Sequence, residues 1–208
     1  KWNAAAKRGV AKWYTSKQDV RLAVQLLKYQ NRNGWSHRDV LRLGHIKPQS
    51  DAQNAMFRHV VGSDKTDLQE FLPELFEDVR IMNSASDAKV VARIIEGNSK
   101  ISWEMVPTQF LNEPKVLEAL LPNMGMTALI RQLGRFSANG LTTPLSKSFG
   151  IIRDKLSSVE AIKNGRVHPI TILTALKSYQ TGHGRSGASW NAERQIVDML
   201  DAAFYNGF

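Results

Sequence analysis

Phosphate-binding chemistry needs cations that a fold can present together, and this sequence offers two sets at helical spacing. At 100° per residue, Arg21, Lys28 and Arg32 fall within about 40° of one another. Val20, Ala23, Val24 and Leu27 cluster roughly 110° away, which predicts a core stripe beside a basic one. Arg38, Arg42 and His45 share a face of the next helix, and the tight turn Asn33-Gly34-Trp35 joins the two. Adjacent cationic faces can contact successive phosphates, and each guanidinium adds a planar fork for bidentate bonding. The capped start of the second of these helices adds oriented backbone N–H groups that favour an anion. His45 can hydrogen-bond or stack on a base, although an isolated helical histidine is more often a hydrogen-bonded structural residue. The competing reading of both stripes is a solvated surface.

The placement of charge favours the polyanion reading. Residues 1–60 hold 12 Lys/Arg and 3 Asp/Glu, a balance of +9 that equals the net charge of the whole 208-residue chain. Residues 61–120 carry 6 basic and 11 acidic residues, and residues 121–208 carry 10 and 5, so the two later stretches cancel. A localised basic zone is the electrostatic footprint of a nucleic acid. The acidic residues Glu70, Glu74, Glu77 and Asp78 read as a solvated helix face.

Other chemistries find little support. There is no cysteine, which excludes disulfides, thiolate metal sites and thiol nucleophiles. The five histidines, His37, His45, His59, His168 and His183, lack any metal-binding spacing, and no G-x-S-x-G or P-loop occurs. Gly182-His183-Gly184-Arg185-Ser186-Gly187 matches G-x-G-x-x-G, but it follows a helical segment and no βαβ unit surrounds it, so a dinucleotide site is not expected. Two readings of that loop stay open: a simple interhelical turn, or a flexible segment carrying His183 and Arg185 near phosphate. Trp2, Trp13 and Trp35 could be base-stacking platforms, but bulky aromatics at helical spacing more often fill the core, and core packing is expected.

The elements that must position these residues read as helices throughout. The pattern predicts helices over about 3–15, 17–32, 36–46, 51–61, 67–79, 84–96, 114–121, 126–138, 145–163 with an interruption, 169–180 and 191–206. Ser36 with Asp39 three residues on forms an S-x-x-D capping box, and Pro169 suits a first helical turn. Many helices of about 10–15 residues with short connections suggest paired-helix packing or a HEAT-like solenoid. No apolar stretch approaches the length of a membrane span. The chain opens at Lys1 without a Met or a secretory leader, which reads as a segment of a longer protein.

Three stretches carry a family likeness: Ala11-Lys12-Trp13-Tyr14 followed by Lys28-Tyr29-Gln30-Asn31-Arg32-Asn33-Gly34-Trp35-Ser36-His37 through Pro48; Arg166-Val167-His168-Pro169 through Tyr179-Gln180-Thr181-Gly182-His183-Gly184; and Leu200-Asp201-Ala202-Ala203-Phe204-Tyr205. The sequence resembles the Ro autoantigen, or TROVE-domain, family. The resemblance implies HEAT-like helical repeats that form a ring, closed in whole members by a von Willebrand factor A domain with a metal-ion-dependent adhesion site. It implies Y RNA on the outer surface and single-stranded ends of misfolded non-coding RNA in the central hole. Bacterial relatives work with a polynucleotide phosphorylase. The Y-RNA residues of the family correspond to Lys28, Arg32 and His45, the same two faces picked out by helical geometry.

The resulting expectations are an all-α fold of HEAT-like helical repeats forming an arc or ring segment. Residues 1–208 would be a TROVE-type domain incomplete at both ends, without the A domain, since no D-x-S-x-S motif occurs. RNA contacts are expected from Lys28, Arg32, His45, Arg21, Arg38, Arg42, His183 and Arg185, with no catalytic residue, no metal and no cofactor in this segment. The expected partners are Y RNA, other structured non-coding RNA and an exoribonuclease such as polynucleotide phosphorylase, for a monomeric, cytoplasmic, non-membrane protein in RNA quality control. The alternative is a helical-repeat scaffold for protein partners.

Overall fold

The computed structural model describes residues 2–32, 34–63, 66–184 and 187–206, the side chains of Asn31, Arg32, Thr66, Asp67 and Asn206 excepted. Among these residues the chain folds into helices, with one two-stranded ladder of two residues per strand. It divides into two compact units, residues 1–84 with 100–106, and residues 85–99 with 107–208.

In the first unit, α1 (Ala4–Thr15) begins where the Asn3 side chain accepts from the Ala6 N–H at 2.8 Å, satisfying one of the donors left over at a helix start. Helix α2 (Asp19–Lys28) is shorter than its sequence pattern predicts. Residues Asn31–Arg32 leave the helix as β1 and pair antiparallel with β2 (Trp35–Ser36), with Asn31 opposite Ser36 and Arg32 opposite Trp35. Gly34 makes the reversal with φ +77°, a left-handed conformation that glycine adopts without strain. Arg32 therefore does not continue the α2 face.

The core stripe of α2 is also rotated from expectation. Leu22, Ala23, Leu26 and Leu27 are buried, while Val20 is 49% exposed and Val24 only half-buried. The physical reason is that α2 is covered by α4 (Asp51–Val61), α5 (Glu74–Ser84) and the 3₁₀ turn Trp103–Met105. Together these cover the Leu22/Leu26 side. Helix α3 (His37–Gly44) carries the predicted capping box: the Asp39 N–H donates to the Ser36 hydroxyl at 3.1 Å and the Ser36 N–H to the Asp39 carboxylate at 3.2 Å. It ends at His45, whose φ of 50° is left-handed, so His45 stands at the end of the helix and not on its face. The single helix expected over 67–79 is instead a 3₁₀ turn (Thr66–Phe71) followed by α5. Pro73 lacks an N–H and disfavours helical geometry at Leu72. Glu70 is thereby separated from Glu74, Glu77 and Asp78, and Glu77 is held by Arg80, whose Nε donates to it at 2.7 Å.

The second unit contains α6 (Ala88–Gly97), α7 (Pro114–Leu120), α8 (Met126–Ala138), α9 (Lys147–Ser157), α10 (Val159–Asn164), α11 (Pro169–Gln180) and α12 (Arg194–Asn206). The interruption expected within 145–163 falls at Ser158, which ends α9 and whose hydroxyl accepts from the Ala161 N–H at the start of α10. Helices pack in pairs, α6 on α7 and α11 on α12, with α9 against α12 and α8 against α11. The fold is all-α with helix-pair packing, as the periodicity predicts. Its core includes Val91, Ile95, Leu117, Leu129, Phe136, Phe149, Ile172, Ile196 and Leu200. Among the described residues, no helix is long and apolar enough to cross a membrane.

Candidate nucleic-acid interface

Arg21 and Lys28 lie seven residues apart on α2 and so share a side of that helix. Arg21 is exposed and forms no ion pair among the described residues. With Lys17, just ahead of the helix, and Lys100 of the same unit, it lines an open groove of about 410 Å³ that Val20, Val24 and Gln25 complete. Lys28, one turn beyond Gln25, is half-buried. Its ammonium is 3.9 Å from the Glu104 carboxylate and 5.5 Å from the Tyr29 ring centroid. Glu104 is a residue sequence reasoning missed. It lies 76 positions along the chain on a 3₁₀ turn that only tertiary packing brings to α2, so no local spacing could have announced it.

The other predicted residues are placed in different ways. Arg38 is exposed on the first turn of α3 and lines a second opening with Ser36, Asp39, His59 and Gln30. Asp39 is held below the ordinary carboxylate range, chiefly by hydrogen bonds from the Ser36 side chain and backbone, with Arg38 and Arg42 adding to the effect. Arg42 donates to the carbonyl of Val61, the last residue of α4, at 3.1 Å. Its guanidinium thus satisfies an orphan helix-end acceptor as well as facing solvent. His45 is exposed beyond Arg42, at the left-handed end of α3. The side chain of Arg32 lies outside the described residues, as does Arg185. Lys17, Arg21 and Lys28 follow one edge of α2 at i, i+4 and i+11, whereas Arg38, Arg42 and His45 belong to α3 and its end.

The glycine loop follows α11 and does not open a helix. It is closed by the Gly184 N–H donating to Ala188 O at 2.7 Å and the Trp190 N–H to Gly182 O at 2.8 Å, with His183 bridged to Ser189. His183 is exposed, and its Nδ1 lies 2.8 Å from the Thr181 carbonyl, to which it donates. A loop tied back on itself is an interhelical turn and lacks the strand-to-helix geometry of a dinucleotide site.

The tryptophans correct the core expectation. Trp13 is 42% and Trp35 48% exposed, because α1 and the β1–β2 reversal lie at the surface of their unit. Trp35 meets Trp2 at 5.8 Å between ring centroids. Trp13 is edge-on to Tyr14 at 4.9 Å and lies within 20° of parallel to His37, at 6.3 Å. The Lys17 ammonium sits 3.3 Å over the Trp13 ring. Around these rings opens a pocket of about 480 Å³, which Tyr14, Gln25, Tyr29 and His37 also line. Trp190 of the second unit behaves as a packing residue: its indole N–H donates to Tyr179 O at 2.9 Å, and its ring lies against Gly134.

An all-α fold of paired helices with a cationic, aromatic-flanked edge on its first unit defines a helical-repeat protein. The sequence matches the TROVE domain over residues 1–80 and 94–206. It is 30% identical to the RNA-binding protein RO60 of Caenorhabditis elegans and 30% identical to the RNA-binding protein RO60 of Deinococcus radiodurans, in each case over all of this chain and 39% of the relative. The crystal structure of the Deinococcus radiodurans RO (RSR) protein superposes with a TM-score of 0.80 at 30% identity, covering all of this chain and 42% of that one. The chain belongs to the TROVE-domain family. It spans about two fifths of the length of these relatives.

Proposed function

We propose that this chain is the RNA-gripping part of a Ro-type protein, binding Y-type RNA and misfolded non-coding RNA without catalysing a reaction on them. The observation that carries the reading is the basic edge of α2, where Lys17, Arg21 and Lys28 follow one another beside an open groove. Cations spaced one and two turns apart along one edge can each meet a phosphate of the same backbone, and their contribution is electrostatic and salt-dependent. The relatives' designation as RNA-binding proteins supports the same reading. Lys28, Arg32 and His45 would provide the Y-RNA contacts, Arg38 and Arg42 further phosphate contacts, and His183 and Arg185 an accessory loop. We extend the proposal to a monomer acting in cytoplasmic RNA quality control, handing RNA to an exoribonuclease such as polynucleotide phosphorylase.

The test is titration of a Y-type hairpin at two salt concentrations against the unaltered chain and the Lys28→Ala/Arg32→Ala variant. With both proteins folded by circular dichroism, the variant should bind more weakly. Its log K against log salt slope should flatten by roughly 0.7–0.9 per lost contact. Unchanged binding at both salts would refute the assignment. A second reading, a scaffold for protein partners, has one observation in its favour: Ile170 and Leu173 stand exposed one turn apart on α11. A partner that stays bound after nuclease treatment, with RNA gone, would favour the scaffold.

A further inference from the structure

The phosphate edge does not account for the aromatic pocket beside it. We propose that the pocket framed by Trp13, Trp35, Tyr29 and His37 takes up an unpaired nucleobase, with the adjoining phosphate in the groove of Lys17, Arg21 and Lys100. This rests on the RNA reading above and deepens it by naming which part of an RNA the site takes.

The two openings lie side by side along α2. Gln25 lines both the aromatic pocket and the basic groove, so an occupant can have a flat apolar part in one and an anionic part in the other. A nucleotide has that constitution. Stacking on exposed rings is tolerant of base identity because every base has a π-face, and the Gln25 carboxamide offers both donors and an acceptor to a base edge.

The rings are held in place before any ligand arrives. Trp35 leans on Trp2, and Trp13 is braced by Tyr14 and His37. The Lys17 ammonium, bonded to the Trp13 carbonyl at 2.5 Å, lies over the Trp13 indole. His37 is fixed through both ring nitrogens, by Tyr14 and by the Gln25 carbonyl. A preorganised platform loses little freedom on binding. Two indoles left 42% and 48% exposed contribute little to the core, and large exposed aromatics clustered in one opening mark a binding site. An aliphatic protein side chain would use the rings but leave the exposed Arg21 guanidinium without an anion. A paired base keeps its faces inside the duplex and cannot enter. The pocket therefore selects single-stranded or bulged nucleotides, while the edge of α2 accepts phosphate from any RNA.

The experiment uses the full chain with two probes: a short single-stranded RNA carrying one 2-aminopurine, and a blunt hairpin, its loop replaced by a non-nucleotide linker, with the same base paired. Titrating protein should quench the single-strand emission by stacking and leave the hairpin emission unchanged. The Trp13→Ala/Trp35→Ala variant should weaken the single strand by roughly five- to a hundred-fold and leave the hairpin affinity as it was. The Trp13→Phe/Trp35→Phe variant keeps two stacking rings and should retain most of the single-strand affinity. No quenching with the unaltered chain, or equal weakening of both RNAs in the alanine variant, overturns the pocket. Should the alanine variant fail to fold, the quenching and the phenylalanine variant decide. Loss of hairpin binding with single-strand quenching intact would instead remove the structured-RNA reading and leave the pocket standing.

Discussion

The Tyr14 hydroxyl lies 2.6 Å from Nδ1 of His37, while Nε2 of the same ring lies 3.2 Å from the Gln25 carbonyl. A carbonyl can only accept, so Nε2 carries the proton and Nδ1 accepts from the tyrosine. One neutral imidazole thereby ties α1, α2 and the first residue of α3 together. Burial pushes the Tyr14 hydroxyl up to about 12, which keeps it a donor across the physiological range. Burial likewise lowers His37, more than its bond to Gln25 raises it.

This bond makes the first unit sensitive to mild acid. His37 binds its proton less readily folded than unfolded, so the unfolded state takes up more protons as pH falls below the ordinary histidine value near 6.5. Stability is fully present above that pH and is lost as pH falls toward the lowered folded value. Urea midpoints measured from pH 8 to pH 5 should drop in the acid half of the range, and His37→Gln should flatten that drop while lowering the midpoint at pH 8. A parallel acid profile in the variant would contradict the assignment.

Arg21 and Arg42, both proposed to meet phosphate, differ in what they do for stability. Arg21→Ala removes an exposed cation with no ion pair among the described residues. It should weaken RNA binding and reduce the salt slope by about 0.7–0.9, with thermal stability unchanged. Arg42→Ala removes the donor to Val61 O at the end of α4 and should cost about 0.5–1.5 kcal/mol. Differential scanning calorimetry beside an RNA titration reads both; an Arg21 variant that melts early with intact binding would reverse the assignment.

Glu104 restrains Lys28. The pair is 3.9 Å apart and partly exposed, with side chains 30% and 42% accessible, so its own contribution to stability is small, of order 0–1 kcal/mol. The Glu104 carboxylate nonetheless competes with an incoming phosphate for the Lys28 ammonium. Glu104→Gln should tighten RNA binding by a few-fold, about the factor expected from one nearby like charge, and Lys28→Ala should abolish that gain. A Gln variant that binds no tighter would show that Lys28 does not face the RNA.

Two glycines on helices should respond in opposite directions to alanine. A Cβ at Gly134 of α8 would sit 2.6–2.9 Å from three indole atoms of Trp190, a ring anchored through its N–H to Tyr179 O. Gly134→Ala should therefore destabilise by about 1–3 kcal/mol and shift the tryptophan emission. Gly9 of α1 meets nothing within 4 Å, so Gly9→Ala should stabilise by up to about 1 kcal/mol. Chemical denaturation of the pair tests both signs.

Local rules carried far in this chain. Capping by Ser36 and Asp39, the proline start of α11 and the Gly34 reversal depend on neighbours within a few residues, so the sequence alone places them; the interruption within 145–163 is legible too, though not its position at Ser158. The basic character of the first third and the pairing of Arg21 with Lys28 follow from composition and 3.6-residue geometry, and they survive in the fold. Periodicity by itself also set the all-α class and nearly every helix of the second unit.

What only the tertiary structure decided depends on contacts between distant segments. Which side of α2 is buried was settled by α4, α5 and the turn at Trp103, and so Leu22 and Leu26 went inward while Val20 stayed out. One exception is local: the end of α2 at Lys28 and the departure of Arg32 accompany strand pairing with Trp35, a hydrogen-bond competition that helical spacing does not register. Trp13 and Trp35 became surface rings for the same reason as Val20: amphipathic patterns specify that an apolar side exists, but burial depends on which partner arrives to cover it.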